Sequence, residues 1–490
     1  MTRALPEVFA EAAARAPARP ALVTRAQTLS YRALHTRTDA LARHLHGRGI
    51  TAGDRLLVAL PIGVDLFATL GALWRLGAVA VFPEPALGLR GLRHAIRTTR
   101  PRGLLASGAY RALRLLPGLL GRPCIDPSRP GRGRAVSELP APPDPDQAAL
   151  ISFTSGSTGV PKGICRTHRF MMAQLDALRP ILDSGEVERD LVAFPVFTLM
   201  CLAQGRTAVL PDWSPRQTDR VTPDALQAWI RDSTATRALL PPALVEVLAR
   251  TRDTGMLHTV FTGGGPVKPA LVDALHEAHP HLRIVSVYGS TEAEPIAVLD
   301  WADVTDIDRA RMEAGGGLLA GPPVGGVDVT LADDEILVAG PHVTTGYLDP
   351  AQDAQTKVRD GARIFHRTGD GGFFDPQGRL WLLGRHGGLI RTENGLRGPF
   401  SIEMRAEADP AIRRAALAPL DGETVLALEL SGTERPAADA AALDVDRVVI
   451  LDAIPMDQRH HSKVDMRALE ARVRRKRAQA PGDARRARVP

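Results

Sequence analysis

Residues 152–163 read SFTSGSTGVPKG. The apolar segment AALISFT at 148–154 has the character of a buried strand, and it runs straight into Thr154, Ser155, Gly156, Ser157, Thr158 and Gly159. Val160, Pro161, Lys162 and Gly163 close the stretch. Glycines let successive backbone N–H groups curl around an anion, hydroxyls add donors, and a lysine adds a mobile positive charge. The string is not a Walker A loop, because Lys162 precedes a glycine rather than Ser/Thr and the glycine spacing differs. A Ser/Gly-rich string on its own is an ordinary flexible connector. With a strand before it and a lysine after it, phosphate binding is the better reading.

On both sides of this loop, short apolar runs alternate with helical patterns. Residues 56–60, 64–74 and 79–82 precede it, and 237–240, 243–250 and 259–262 follow. This β-α-β rhythm predicts an α/β fold of parallel sheets covered by helices. The Pro/Gly-rich text between 117 and 147 reads as connector. From Gly315 the pattern shifts to short strands and turns, and a smaller unit with strands and helices follows Arg385. The length of 490 residues suits about three domains of ~150 residues.

Composition narrows the class. With 44% hydrophobic and 24% charged residues the chain is neither disordered, collagen-like nor a disulfide scaffold. Cys124, Cys165 and Cys201 show no C-x-x-C spacing, so a reducing, cytoplasmic setting is expected. The net charge of +6 is unevenly placed. Residues 472–490 carry eight Lys/Arg against the single acid Asp483, a net +7 that leaves −1 for residues 1–471. A basic tail on a near-neutral body, with 4% aromatic residues, predicts no nucleic-acid partner. The N-terminus reads as an amphipathic helix stopped by Pro17, with no signal peptide expected. The most apolar region, 56–82, is broken by Pro61, Asp65 and Arg75, so no membrane span is expected.

SFTSGSTGVPKG resembles the phosphate loop of the AMP-forming acyl-activating superfamily, which includes acyl-CoA synthetases and peptide-synthetase adenylation domains. Further blocks follow in the family's order: FTGGGPV at 261–267, VYGSTE at 287–292, HRTGD at 366–370 with Gly384-Arg385, and Lys463 in PMDQRHHSKVD. The resemblance implies a large N-terminal region of parallel sheets layered with helices plus a small β-barrel-like subdomain, residues 1–384. A smaller mobile α+β C-terminal domain would span 386–475, and a basic, disordered tail 476–490.

It also implies roles. Thr154 to Gly159 and Lys162 would hold phosphates, Gly264, Gly265 and Pro266 would contact adenine, and Tyr288 beside Gly289 would offer adenine a flat face. Thr291 would meet a phosphate, Glu292 would hold Mg²⁺, and Asp370 and Arg385 would lie at the ribose. Lys463 would swing into the site to stabilise charge on the α-phosphate. ATP and Mg²⁺ are the implied cofactors, and CoA or a carrier-protein thiol is the acceptor in thioester-forming members. Without the family, Tyr288 reads as a strand-end aromatic, Thr-Glu as a helix start, Asp370 as a turn residue, and Arg385 and Lys463 as solvated cations.

Three departures mark a branch. The serine and glycine usual before the catalytic lysine read His461-Ser462, the hinge after Arg385 reads His386-Gly387-Gly388, and Phe197 stands in the acyl-pocket segment FPVFTLMCLAQG where many relatives carry histidine. With PALGLRG, WSPRQ and TTGYLDP, the chain looks most similar to the olefin β-lactone synthetases. That resemblance implies adenylation of a β-hydroxy acid followed by closure on its own hydroxyl. The alternatives are a ligase making an acyl-CoA or carrier-protein thioester of a fatty or aryl acid, and a nucleotide-binding scaffold without turnover. A small-molecule acid is the expected partner, with an acyl carrier or pathway enzyme beside it. Elsewhere, His276, His279 and His281 read as a surface helix end rather than a metal site, and Cys165 as a packed small residue.

Overall fold

The computed structural model describes residues 3–129, 138–154, 160–392, 395–432, 443–457 and 462–479. Residues 155–159 of the phosphate loop, 460–461 before Lys463 and the end of the tail lie outside the described residues.

Runs such as LLV at 56–58 and TVFTG at 259–263 are apolar on both faces, the pattern of strands buried between two helical layers. They form two sheets. The first has six strands, ordered edge to edge as Cys124–Ile125, Gly103–Ala106, Arg55–Ala59, Val79–Pro83, Ala148–Thr154 and Lys162–Thr167. All neighbours are parallel except the last pair, whose antiparallel register sets Thr154 opposite Lys162. The strands on either side of the phosphate-loop segment are therefore an antiparallel edge pair, and Lys162 opens a strand rather than a helix. The second sheet has eight strands, with a parallel centre and antiparallel strands at both edges.

From Leu318 to Arg385 the strands pair antiparallel, as the change of pattern after Gly315 predicts. The 12-residue strand Arg363–Phe374 is the spine of this sheet. It pairs with Lys357–Asp360 through its first half and with Leu380–Arg385 through its second.

After Arg385 a three-stranded sheet, Ile412–Leu420, Glu423–Leu430 and Arg447–Leu451, lies between two helices. Alternation along ALAPL decides which helix each side chain meets. Ala415 and Leu417 pack with Ile402 and Ala406 of the helix Pro399–Glu407, while Ala416 and Ala418 pack with Leu469 and Val473 of the helix Met466–Gln479. The helix Pro399–Glu407 has a second allegiance. Its Met404 is buried in the core of the large region, with Phe400 packed against it. Close approach fixes this seam: a Cβ on Gly398 would lie 2.1 Å from the Leu383 carbonyl oxygen.

The paired hinge glycines Gly387 and Gly388 sit in the 3-10 turn His386–Gly388, and neither has a positive φ. The left-handed position is Gly384, at φ 106°, where a Cβ would press on Pro399 at 3.0 Å. In the histidine segment His276 and His281 are exposed as expected, and His279 corrects the surface reading. His279 is buried, and its Nε2 lies 3.0 Å from the Thr251 hydroxyl and 3.2 Å from the Leu248 carbonyl. It is a packed core histidine, and among the described residues no group of three or more His, Cys, Asp or Glu is placed to hold a metal. No described helix is long and apolar enough to cross a membrane.

Candidate active site

A cleft of about 2380 Å³ opens between the large region and the C-terminal unit. Its wall gathers Thr154, Lys162, Phe197, Gly264, Gly265, Pro266, Tyr288, Gly289, Thr291, Glu292, Asp370, Arg385 and Lys463, which sequence separation scatters over three hundred positions. Strand ends explain the gathering. Thr154, Gly263 and Ser290 end strands of the two sheets, and Thr154, Gly264 to Pro266, Thr291 and Glu292 line the cleft there.

At one end, the Tyr288 hydroxyl donates to Asp370 Oδ2 at 2.9 Å, and Arg385 lies 3.3 Å from Asp370 Oδ1. Burial, then the Asp370 carboxylate, push the Tyr288 phenol well above its ordinary range, so it stays a donor. The Asp370 backbone N–H is held by the Thr368 hydroxyl at 3.1 Å. Tyr288 and Asp370, read separately from sequence, form one unit.

At the other end is Glu292. The Tyr347 hydroxyl donates to Glu292 Oε1 at 3.1 Å, and the Thr154 hydroxyl lies 3.4 Å from the same oxygen. Two ammonium groups flank the Tyr347 ring, Lys162 and Lys357, each 5.1 Å from its centroid. Burial opposes charge on Glu292, yet His366 while protonated, the Tyr347 hydroxyl and Lys357 together hold the carboxyl below its usual range. Burial pushes His366 down to about 4, reinforced by Lys357, so it is neutral near pH 7. Lys357, lowered by burial to about 8, is then the cation that sustains the carboxylate. Tyr347 and Lys357 were not singled out from the sequence. Their signal was the block HVTTGYLDPAQDAQTKVRDG, read as a branch marker rather than as chemistry.

The donor set fits a magnesium nucleotide. Magnesium favours carboxylate and phosphate oxygens with retained waters, and Glu292 stands ionised beside Lys162. The hydroxyls of Ser152 and Ser290 on the cleft wall are buried and have no hydrogen-bond partner among the described residues, so the wall keeps polar capacity in reserve. Arg166 donates to the Thr291 carbonyl at 2.7 Å, fixing the turn that presents Thr291 and Glu292.

Lys463 arrives from the C-terminal unit. Asp457 Oδ1 accepts from the backbone N–H groups of Ser462 and Lys463 at 3.0 and 2.9 Å, which presents the lysine at the cleft with its side chain exposed. Ser462 is buried against Gly265, where a Cβ would lie 2.7 Å from both the Ser462 carbonyl oxygen and its Cβ. The Ser462 hydroxyl also accepts from the Ala243 N–H at 3.2 Å, completing the N-terminus of the helix Pro242–Leu248. The ion pairs Lys268–Glu407 at 2.6 Å and Arg414–Glu246 at 3.4 Å bridge the same seam.

Beyond Phe197, which is buried, the cleft has an apolar arm of Leu60, Ile62, Leu66, Phe82 and Leu199.

Comparison with known proteins agrees with this architecture. The family model described as AMP-binding enzyme matches residues 9–348. The olefin beta-lactone synthetase of Stenotrophomonas maltophilia is 32% identical over 89% of this chain and 90% of its own length. The L-proline–[L-prolyl-carrier protein] ligase of Pseudomonas fluorescens is 27% identical over 94% and 97%. Among solved structures, O-succinylbenzoate coenzyme A synthetase from Bacillus subtilis, in complex with ATP and magnesium ion, has the same fold, with a TM-score of 0.77, 21% identity, and coverage of 94% and 98%. By the span of the family match and the full-length relative, the chain belongs to the AMP-binding enzyme family and is an AMP-forming ligase.

Proposed function

We propose that the cleft adenylates a β-hydroxy carboxylic acid with MgATP and then lets the acid close on itself as a β-lactone. The observation that carries the first step is the seating of Ser462 on Gly265, which presents Lys463 to the same cleft as Glu292 and Lys162. In this reading Thr154 to Gly159, Lys162 and Thr291 hold the phosphates. Gly264, Gly265, Pro266, Tyr288 and Gly289 cradle adenine, and the Asp370–Arg385 pair meets the ribose. Glu292 would hold the magnesium, which supplies charge neutralisation on the phosphates. Lys463 stabilises the negative charge that grows as the carboxylate oxygen attacks the α-phosphorus and pyrophosphate departs. The apolar arm past Phe197 takes the acid's hydrocarbon part.

For the second step, the β-oxygen attacks the acyl carbon, loses its proton and expels AMP. The nucleophile is already tethered, so effective molarity replaces a second substrate. Support comes from the olefin beta-lactone synthetase that this chain resembles along nearly its whole length. A thiol acceptor, CoA or a carrier protein, is the second reading, favoured by the likeness to the prolyl-carrier ligase. Incubation with ATP, Mg²⁺ and a β-hydroxy acid, with and without CoA, separates them by mass spectrometry. The lactone reading expects AMP, pyrophosphate and a β-lactone without CoA. A thioester as sole product, formed only when CoA is added, sinks it while leaving adenylation intact. No pyrophosphate with any acid would leave only a nucleotide-binding scaffold.

A further inference from the structure

The near-neutral charge of residues 1–471 hides a strong separation. Residues 85–125 contain eight arginines and no Asp or Glu, so this strip carries +8 and the rest of the body −9. The strip forms one outer face. On the helix Gly88–Thr99, Leu89, Arg90, Arg93 and Arg97 are all exposed, and spacings of three and four residues put them on one side, with Arg100 exposed just after. The opposite side buries Ala95 and Ile96 against Leu119, with Leu113 and Leu116 packed on them, which holds the segment 108–120 beside the helix. That segment adds exposed Arg114 and, just beyond it, exposed Arg122. Arg102 and Arg111 pair with Asp54 and Asp126. No carboxylate pairs with Arg90, Arg93, Arg97, Arg100, Arg114 or Arg122 among the described residues.

The same face holds four of the molecule's exposed large apolar side chains. Leu89 is 49% exposed, Tyr110 47%, Leu115 66% and Leu120 63%. Exposed apolar side chains are unfavourable in water, and clustered like charges repel one another. They suit a boundary where hydrocarbon enters an apolar layer and guanidinium groups stay at phosphate depth. The face also meets the cleft: Arg90, His94, Arg97 and Tyr110 line it together with the apolar residues Leu60, Ile62, Leu66 and Phe82.

We propose that this face docks on an anionic lipid surface, setting the mouth of the acyl arm against the layer into which an apolar acid partitions. The purpose of docking rests on the reading of the cleft as a site for such an acid, but the docking itself is measured without turnover.

The test is flotation of the full chain with vesicles of phosphatidylcholine alone and of phosphatidylcholine with phosphatidylglycerol, at physiological ionic strength. The parent is expected to float only with the anionic vesicles. The combined variant Arg93→Glu, Arg100→Glu, Arg114→Glu, drawn from residues outside the cleft, is expected to bind at least about 10-fold more weakly with an unchanged melting temperature. The variant Leu115→Ser, Leu120→Ser should lose the binding that survives raised salt, when charge attraction is screened. Equal binding by parent and arginine variant overturns the proposal. So does loss of all binding on cutting the basic tail after Arg477 while the arginine variant keeps it. A parent that ignores vesicles but is retained by an acidic carrier protein makes the face a protein dock and also overturns it. Adenylation of a water-soluble acid is a separate readout, so either reading can fail alone.

Discussion

Backbone contacts help fix the place of Lys463. Asp457 grips the two N–H groups at Ser462 and Lys463, and Ser462 fills the space above Gly265. The side chain adds the charge. Lys463→Ala is therefore expected to keep ATP binding and lose acyl-AMP formation by ~10²-fold or more, the scale of one charged group in a phosphoryl-transfer transition state. Pyrophosphate release beside a nucleotide titration measures both, and a parental rate of release would remove Lys463 from the chemistry. Tyr347 calls for a different measurement. Its hydroxyl is a donor to the half-buried Glu292 carboxylate, a bond worth about 1.5–3 kcal/mol when the acceptor is charged. Tyr347→Phe keeps the ring under Lys162 and Lys357 and removes only that bond. The magnesium concentration for half-maximal nucleotide binding should rise roughly 10-fold or more, while the melting temperature holds. An unchanged magnesium dependence would reduce Tyr347 to packing.

At the scale of elements, the seam between the two units is built from what is missing at glycines. Gly265 admits Ser462, Gly398 admits the Leu383 carbonyl, and Gly384, at positive φ, admits the Pro399 ring. Gly265→Val should push Ser462 off the helix Pro242–Leu248 and cost adenylation about as much as losing the lysine, ~10²-fold. Gly265 also stands in the proposed adenine cradle, so nucleotide affinity should fall as well; a Gly265→Val enzyme with full turnover would show that this seat is dispensable. Such contacts explain what could be read in the sequence. Strands and helices followed from local periodicity, and ordered motif blocks named residues that meet on the cleft wall. The Tyr288–Asp370 hydrogen bond, the Tyr347 support of Glu292 and the capping of one unit's helix by the other's serine join residues 55 to 219 positions apart. Nothing in local pattern encodes those distances. His279 shows the same limit: polar text at a helix end was read as surface, and packing against Thr251 and Leu248 decided otherwise.

For the molecule as a whole, Glu403 ties stability to pH. It lies buried on the helix Pro399–Glu407, accepting from the Leu417 N–H at 3.1 Å. Burial pushes its carboxyl up from 4.5 to about 7, against the pull of Lys268 and the Leu417 N–H, with Glu407 adding to the rise. The folded state therefore binds the proton more tightly than the unfolded one. Its contribution is full below about 4.5 and is lost as pH rises through about 7, a change of about 3 kcal/mol. Melting temperatures taken between these limits should fall with rising pH in the parent more steeply than in Glu403→Gln. Matching slopes would show that Glu403 is not the group responsible.

The helix that carries Glu403 has one flank in each hydrophobic core, Met404 on one side and Ile402 with Ala406 on the other. Heat cannot melt either core without stripping that helix from both. Calorimetry of the intact chain should then record a single heat-capacity peak, its calorimetric and van't Hoff enthalpies agreeing across what the sequence divides at Arg385. The boundary that the chain text announces would be thermally invisible, and two resolved peaks would mean that the shared helix belongs to one side only.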